Sequence, residues 1–282
     1  MHGNESTPPF LPAMKTVGPQ NLASIALPSQ GTDGTDFAAL RRDATRDLAA
    51  AALLVVLLAT VLGGAGGLGL DYTLKASLVY GAGAWLVWRG LGAHPHPRFG
   101  PANRVTLGRL GMAALLAALV GEALPRPPLA SMPVAAWWLV VIATATAVLD
   151  AVDGALARRS GLASAFGARF DMETDAAFTL VLCALVLQAG QAGPWLLASG
   201  LMRYAFVAAA RPWPWLAGAL PSSRRRQTVC VVQITTLIVC LGPIVPPPLA
   251  ASLAALSLAL LTLSFAVDVR TLARQRPNPS ET

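Results

Sequence analysis

Four aspartates stand at positions 150, 153, 171 and 175, in the stretch DAVDGALARRSGLASAFGARFDMETD, with long apolar runs on both sides. Asp150 and Asp153 are spaced i, i+3 and Asp171 and Asp175 i, i+4, so on helices each pair shares one face. The segment between the pairs is short, which makes the two helices antiparallel neighbours and lets the pairs face each other. Carboxylates so crowded repel unless a cation sits among them. One arginine cannot neutralise four of them, whereas one or two divalent cations can. All-carboxylate oxygen ligation suits hard ions, Mg2+ or Mn2+. Gly154, Ala157 and Gly167 are small enough to let a backbone or a flat ligand come close. Arg158, one turn beyond Gly154, has the fork geometry to grip a phosphate. The chemistry implied is a metal-bound phosphate ligand.

The elements that must position these groups are membrane helices. Of 282 residues, 55% are hydrophobic and only 12% charged, where a soluble domain carries roughly 25%. Mean hydropathy is +0.57. Apolar runs of this length satisfy their own backbone in hydrocarbon only as helices, and the period-two alternation of an outer-membrane barrel is absent. The fold class is therefore all-α, a polytopic transmembrane helical bundle. Eight spans are expected, at 48–66, 74–90, 105–121, 134–156, 166–189, 194–212, 227–246 and 249–267. Residues 1–38, rich in Pro, Gly, Ser and Thr without periodicity, read as a disordered cytoplasmic tail. The opening MHGNESTPPF has no secretory signal pattern.

Charge sets the orientation. With the N-terminus inside and sides alternating, only Lys75 and Arg126 of the 21 Lys and Arg fall outside, and only Arg203 falls within a helix. That asymmetry places both termini and the aspartates at the cytoplasmic face, as expected for a bacterial inner membrane. It also accounts for the net charge of +7 without nucleic acid. Cys183, Cys230 and Cys240 lie inside apolar helices and read as buried packing, not a disulfide or zinc site. His94 and His96, in AHPHP, read as loop residues.

The aspartate stretch fits D-x2-D-G-x2-A-R-x8-G-x3-D-x3-D at every fixed position: Asp150, Asp153, Gly154, Ala157, Arg158, Gly167, Asp171 and Asp175. This resembles the signature of the CDP-alcohol phosphotransferase family. FGPANRVTLGRL likewise resembles the family's N-x2-T-x2-R segment, here Asn103, Thr106 and Arg109. The resemblance implies a six-helix catalytic core, 93–268, preceded by two extra transmembrane helices, 39–92, and followed by a cytoplasmic tail, 269–282. It implies transfer of a substituted phosphate from a CDP-linked lipid donor, commonly CDP-diacylglycerol, to an acceptor hydroxyl, with release of CMP, in phospholipid biosynthesis. Asp150, Asp153, Asp171 and Asp175 would hold two divalent cations, Asp175 also serving as general base. Asn103, Thr106, Arg109, Gly154, Ala157, Arg158 and Gly167 would form the nucleotide site. A homodimer in the bilayer is the family's common state.

The acceptor side is less specific. Arg203, two turns inside the sixth span, costs roughly 2.5–3.5 kcal/mol to insert, so it faces the bundle or a wet cavity, or else snorkels to the headgroups. Arg224, Arg225 and Arg226 are positive-inside anchors or, by the resemblance, the lining of a pocket for an acceptor, phosphorylated or not. The segment lacks the Gly-Lys-x-Lys-Thr pattern of glycerol-phosphate-using members, so the acceptor stays open. Glu173 lies roughly 100° or more of helix rotation off the Asp171/Asp175 face and is left out of the site. The rival classes are an ion-coupled transporter, disfavoured because no inverted repeat is visible, and a noncatalytic family member, disfavoured because every signature aspartate is present.

Overall fold

Apolar runs interrupted by Gly and Pro resolve into eight α-helices, in a computed structural model that describes residues 34–122, 133–218, 220 and 223–275. They are α1 (Gly34–Gly66), α2 (Gly69–Gly90), α3 (Pro101–Ala117), α4 (Pro133–Ser160), α5 (Ala165–Gln188), α6 (Leu197–Ala209), α7 (Arg224–Cys240) and α8 (Pro247–Arg274). Short 3-10 turns lie at Leu91–Ala93, Pro194–Leu196 and Pro214–Ala217. The described residues contain no strand. All of them belong to one unit, Thr32–Thr282. Residues 1–33, Arg126 and 276–282 lie outside the described residues, and with them most of the first expected tail and half of the second.

The helix boundaries differ from the expected spans for local reasons. α1 starts at Gly34, ahead of the boundary at 38, because the charged stretch FAALRRDATRDL is helical and continuous with the apolar run. α3 starts at Pro101 rather than 105, because Pro occupies its first turn, where a missing N–H costs nothing. α6 has only 13 residues, since Pro194 and Pro214 confine it. Among the described residues, three helices are long and apolar enough to cross a bilayer, within Asp36–Gly66, Trp137–Gly154 and Pro247–Arg274. This fits an integral membrane protein.

α3 is the shared wall of two cores. One face packs with α1, α2 and the start of α5, through Leu40, Val55, Tyr72, Tyr80, Leu107 and Phe166. The opposite face packs with α4 and α5, in a second core to which α7 and α8 also contribute, through Leu116, Ala143, Phe178, Leu182, Leu237 and Ala254. In lipid such contacts stabilise mainly by close packing and by satisfied polar groups. Two buried phenols supply the latter: Tyr72 donates to the Leu115 carbonyl at 3.0 Å and Tyr80 to that of Leu48 at 2.9 Å. Packed on both faces, and tied to α2 by the Tyr72 bond, α3 carries the polar groups that meet the aspartates.

Candidate active site

Asn103, Thr106 and Arg109 follow at i, i+3, i+6 along α3, which puts them on one face. All three are buried, Arg109 to 1% exposure. Facing them are the last turns of α4, with Asp150 and Asp153, and the first turns of α5, with Asp171 and Asp175. The link between these helices is only residues 161–164, yet the two are not packed side by side as the spacing suggested: α3 packs against both, and its Arg109 stands among their aspartates. Ser164 starts α5 as its N-cap, accepting the Gly167 N–H at 3.0 Å.

The four carboxylates converge on one guanidinium. Arg109 Nη1 lies 2.9 Å from Asp150, 2.7 Å from Asp153 and 2.6 Å from Asp171, and Nη2 pairs with Asp175. Thr106 adds a hydroxyl donated to the same Asp153 oxygen at 3.0 Å. Asp153 is buried, whereas Asp150, Asp171 and Asp175 keep about a third of their side-chain surface open. The cluster is thus anchored at Asp153 and open on its other members.

One cation among four carboxylates leaves a deficit of three positive charges. Carboxylate oxygens of Asp150, Asp153 and Asp171 lie within 4.8 Å of one another, a donor set that could hold a metal ion. Hard oxygen donors at that spacing, with unneutralised charge, fit a divalent cation such as Mg2+ or Mn2+. Asp175 stands apart from this trio, held by the second guanidinium nitrogen.

The other expected site residues fall into three groups. Gly154 and Ala157 follow Asp153 on α4 and are partly exposed. Arg158 is on the same helix, but its side chain lies outside the described residues. Asn103 and Gly167 meet each other: a Cβ at Gly167 would sit 2.8 Å from Asn103 Oδ1. The Asn103 amide donates to the Phe99 carbonyl, so both residues serve the α3–α5 contact. The third group is the arginines. Arg203 pairs with Glu173 at 2.6 Å on the outer side of α5. Arg225 donates to the Ser264 carbonyl and hydroxyl, each at 2.5 Å, and to Asp268 at 2.5 Å. Arg226 lies 3.4 Å from the same Asp268, and Arg224 is exposed.

Several residues escaped sequence reasoning. Asp268 is buried near the end of α8 as the partner of two arginines; its signal was a lone acid closing an apolar run. His94 is 5% exposed, with both ring nitrogens bonded. Cys183 and Cys240 are buried free thiols, but Cys230 is exposed, against the expectation of buried packing, because the first turns of α7 are less covered than the later ones that hold Gln233, Leu237 and Cys240.

A family model described as CDP-alcohol phosphatidyltransferase matches residues 99–267. No curated protein and no solved structure matches the chain.

Proposed function

The chain belongs to the CDP-alcohol phosphatidyltransferase family, and from that premise we propose that it moves a phosphatidyl group from CDP-diacylglycerol to the hydroxyl of a polar acceptor, releasing CMP, in phospholipid synthesis. The observation that carries this reading is the convergence of three carboxylates within 4.8 Å at adjoining helix ends inside the family-matched segment. An amphiphilic donor suits that placement, since its acyl chains stay among the helices while its diphosphate reaches the acidic cluster. The site faces the cytoplasm, and eight spans carry the chain across a bacterial inner membrane as a homodimer.

Asp150, Asp153 and Asp171 would hold cations, with Asp175 contributing to a second. When bound, two divalent cations, Mg2+ or Mn2+, neutralise the diphosphate and the charge that develops on departing CMP. Thr106 and Arg109 keep Asp153 in place beneath them. Gly154, Ala157 and Arg158 form the floor for the nucleotide. Asp175, the carboxylate outside the trio, takes the proton of the acceptor hydroxyl. The freed oxygen attacks the β-phosphorus, and the bond from that phosphorus to the oxygen bridging to CMP breaks, its electron pair leaving with CMP. Arg224 and Arg226, at the start of α7, attract an anionic acceptor.

The deciding experiment supplies purified protein in lipid micelles with CDP-diacylglycerol and Mg2+ or Mn2+. Inositol phosphate, glycerol phosphate, inositol, serine and choline are then added one at a time. Metal-dependent CMP release with one acceptor establishes the reaction and names the product. Absence of both release and metal-dependent donor binding would sink this reading in favour of ion-coupled transport.

A further inference from the structure

One peptide unit ahead of α3 is gripped from both ends. The Arg98 carbonyl accepts from His94 Nε2 at 2.9 Å, and the Phe99 N–H of the same peptide group donates to Asp43 on α1 at 3.0 Å. The next carbonyl, that of Phe99, accepts from the Asn103 side chain. Gly100 then turns the chain with φ of 87°, a region open to glycine, and Pro101 begins α3. Arg104, one turn along, pairs with Asp43 at 3.1 Å and Asp47 at 2.6 Å. The start of α3 is therefore tied to α1 through Asp43 and Asp47, by the Phe99 N–H and by the Arg104 guanidinium.

His94 reaches a second helix as well. Its Nε2 carries the proton given to Arg98, so Nδ1 is the acceptor, and it lies 3.1 Å from the Ser164 hydroxyl. That hydroxyl oxygen is also the cap that receives the Gly167 N–H of α5. A continuous path thus runs from Asp43 through the Arg98–Phe99 peptide, His94 and Ser164 to the first turn of α5. α3 carries Thr106 and Arg109, and α5 carries Asp171 and Asp175. The two helices whose relative register sets the aspartate cluster are joined at their starts by residues 43 and 94, both outside the family-matched segment 99–267.

We propose that His94 and Asp43 are positioning residues of the metal site, and that the two N-terminal helices belong to the apparatus holding Asp171 and Asp175 against Thr106 and Arg109. The inference rests on reading the aspartate cluster as a cation site. A functional constellation needs its groups held to about 0.5 Å, and one residue of slip along a helix moves a side chain by about 1.5 Å and turns it by about 100°. The Asp43–His94–Ser164 path opposes that slip at the end of each helix nearest the site.

The test uses the full chain in detergent micelles and reads Mn2+ binding by electron paramagnetic resonance beside CMP release. His94→Ala and Ser164→Ala are each expected to weaken Mn2+ binding by about tenfold, the lower end for removing an outer-sphere partner. The double variant should be no weaker than the worse single one, because both break the same path. Helix content and elution volume stay those of the parent. Asp43→Ala weakens Mn2+ binding likewise, while Asp43→Asn, which keeps an acceptor for the Phe99 N–H, retains most of it; a general loss of packing would not show that rescue. Parental Mn2+ affinity in folded His94→Ala and Asp43→Ala would overturn the proposal, as would strictly additive losses in the double variant. Should His94→Ala not fold, Ser164→Ala, which removes one hydroxyl, decides. If the parent releases no CMP yet the Mn2+ shifts appear, the reaction assignment fails and the positioning role stands. If CMP is released without the shifts, the reaction stands and the positioning role fails.

Discussion

Arg109 and Asp153 form a buried ion pair, 2.7 Å apart, with side-chain exposures of 1% and 5%. The guanidinium pairs at the same time with the three more open aspartates, so it is the fixed cation about which the acidic cluster is arranged.

Arg109→Gln leaves Asp153 in the interior with the Thr106 hydroxyl as its remaining described partner. Breaking one half of a buried pair costs about 3–5 kcal/mol, so the unfolding midpoint in micelles should fall clearly. Turnover should drop by about 100-fold or more as preorganisation is lost. Arg109→Lys keeps the charge but offers one ammonium in place of two forked nitrogens. It should recover stability better than turnover. A parental midpoint for Arg109→Gln would contradict the pair's anchoring role.

Asp153 and Asp175 should separate metal binding from proton transfer. Asp153 belongs to the trio within 4.8 Å and Asp175 does not. Asp153→Asn is expected to lose both Mn2+ binding and CMP release. Asp175→Asn should keep the Mn2+ held by Asp150, Asp153 and Asp171 while CMP release falls by about 10²–10⁴-fold, the usual contribution of a general base. If the two variants lose Mn2+ equally, Asp175 is a ligand first and its role as base is not needed.

The spacing of the aspartates was enough to predict that the acids meet, because period and spacing are local properties, but not that α3 packs against both helices that carry them. Arg109 was visible as part of the N-x2-T-x2-R resemblance, yet its place among the carboxylates was not, since its partners lie 41 to 66 positions away. His94 reads as loop in AHPHP for the same reason: its bond to Ser164 spans 70 positions. Helix ends were misjudged where hydropathy does not decide: at Pro101, which takes the first turn, and at Gly34, where a charged stretch extends the apolar helix. The wall of α3 escaped notice because Ala- and Gly-rich faces carry little hydropathy signal while packing most closely.

Gly167→Ala should test the α3–α5 contact. The added Cβ would come within 2.8 Å of Asn103 Oδ1, and Asn103 cannot swing away without giving up its bond to Phe99. Overpacking of this kind costs about 1–3 kcal/mol, and separation of the two helices should lower turnover with it. Combining Gly167→Ala with Asn103→Ser shortens the obstructing side chain and should recover part of the lost stability. Independent, additive losses would mean that the two residues do not meet.

Stability should also report on His94. Burial holds its imidazole below the ordinary value, with His96 adding to that and the Arg98 carbonyl opposing it. The folded chain therefore resists a proton that the unfolded chain takes up near about pH 6.5. The contribution is fully present above that pH and is lost as pH falls through it towards the lower folded value. Unfolding midpoints measured from about pH 7 downward should decline in the parent and decline less in His94→Gln. Equal slopes would assign the decline to other groups.

Arg225 tests whether the arginines that open α7 serve the acceptor or the bundle. Its guanidinium is already committed to Ser264 and to the buried Asp268, which makes it a clamp between α7 and α8. Arg225→Ala takes a charge-assisted partner from Asp268, at a cost of about 1–3 kcal/mol, so the unfolding midpoint should fall with little change in acceptor KM. Arg224 is exposed, and Arg224→Ala should leave the midpoint alone and raise the KM for an anionic acceptor. The opposite pattern, a raised KM and an unchanged midpoint in Arg225→Ala, would mean that Arg225 exchanges Asp268 for the acceptor during turnover. The comparison decides which of the two arginines reads the acceptor, because only one of these side chains can be committed to α8 without loss of binding.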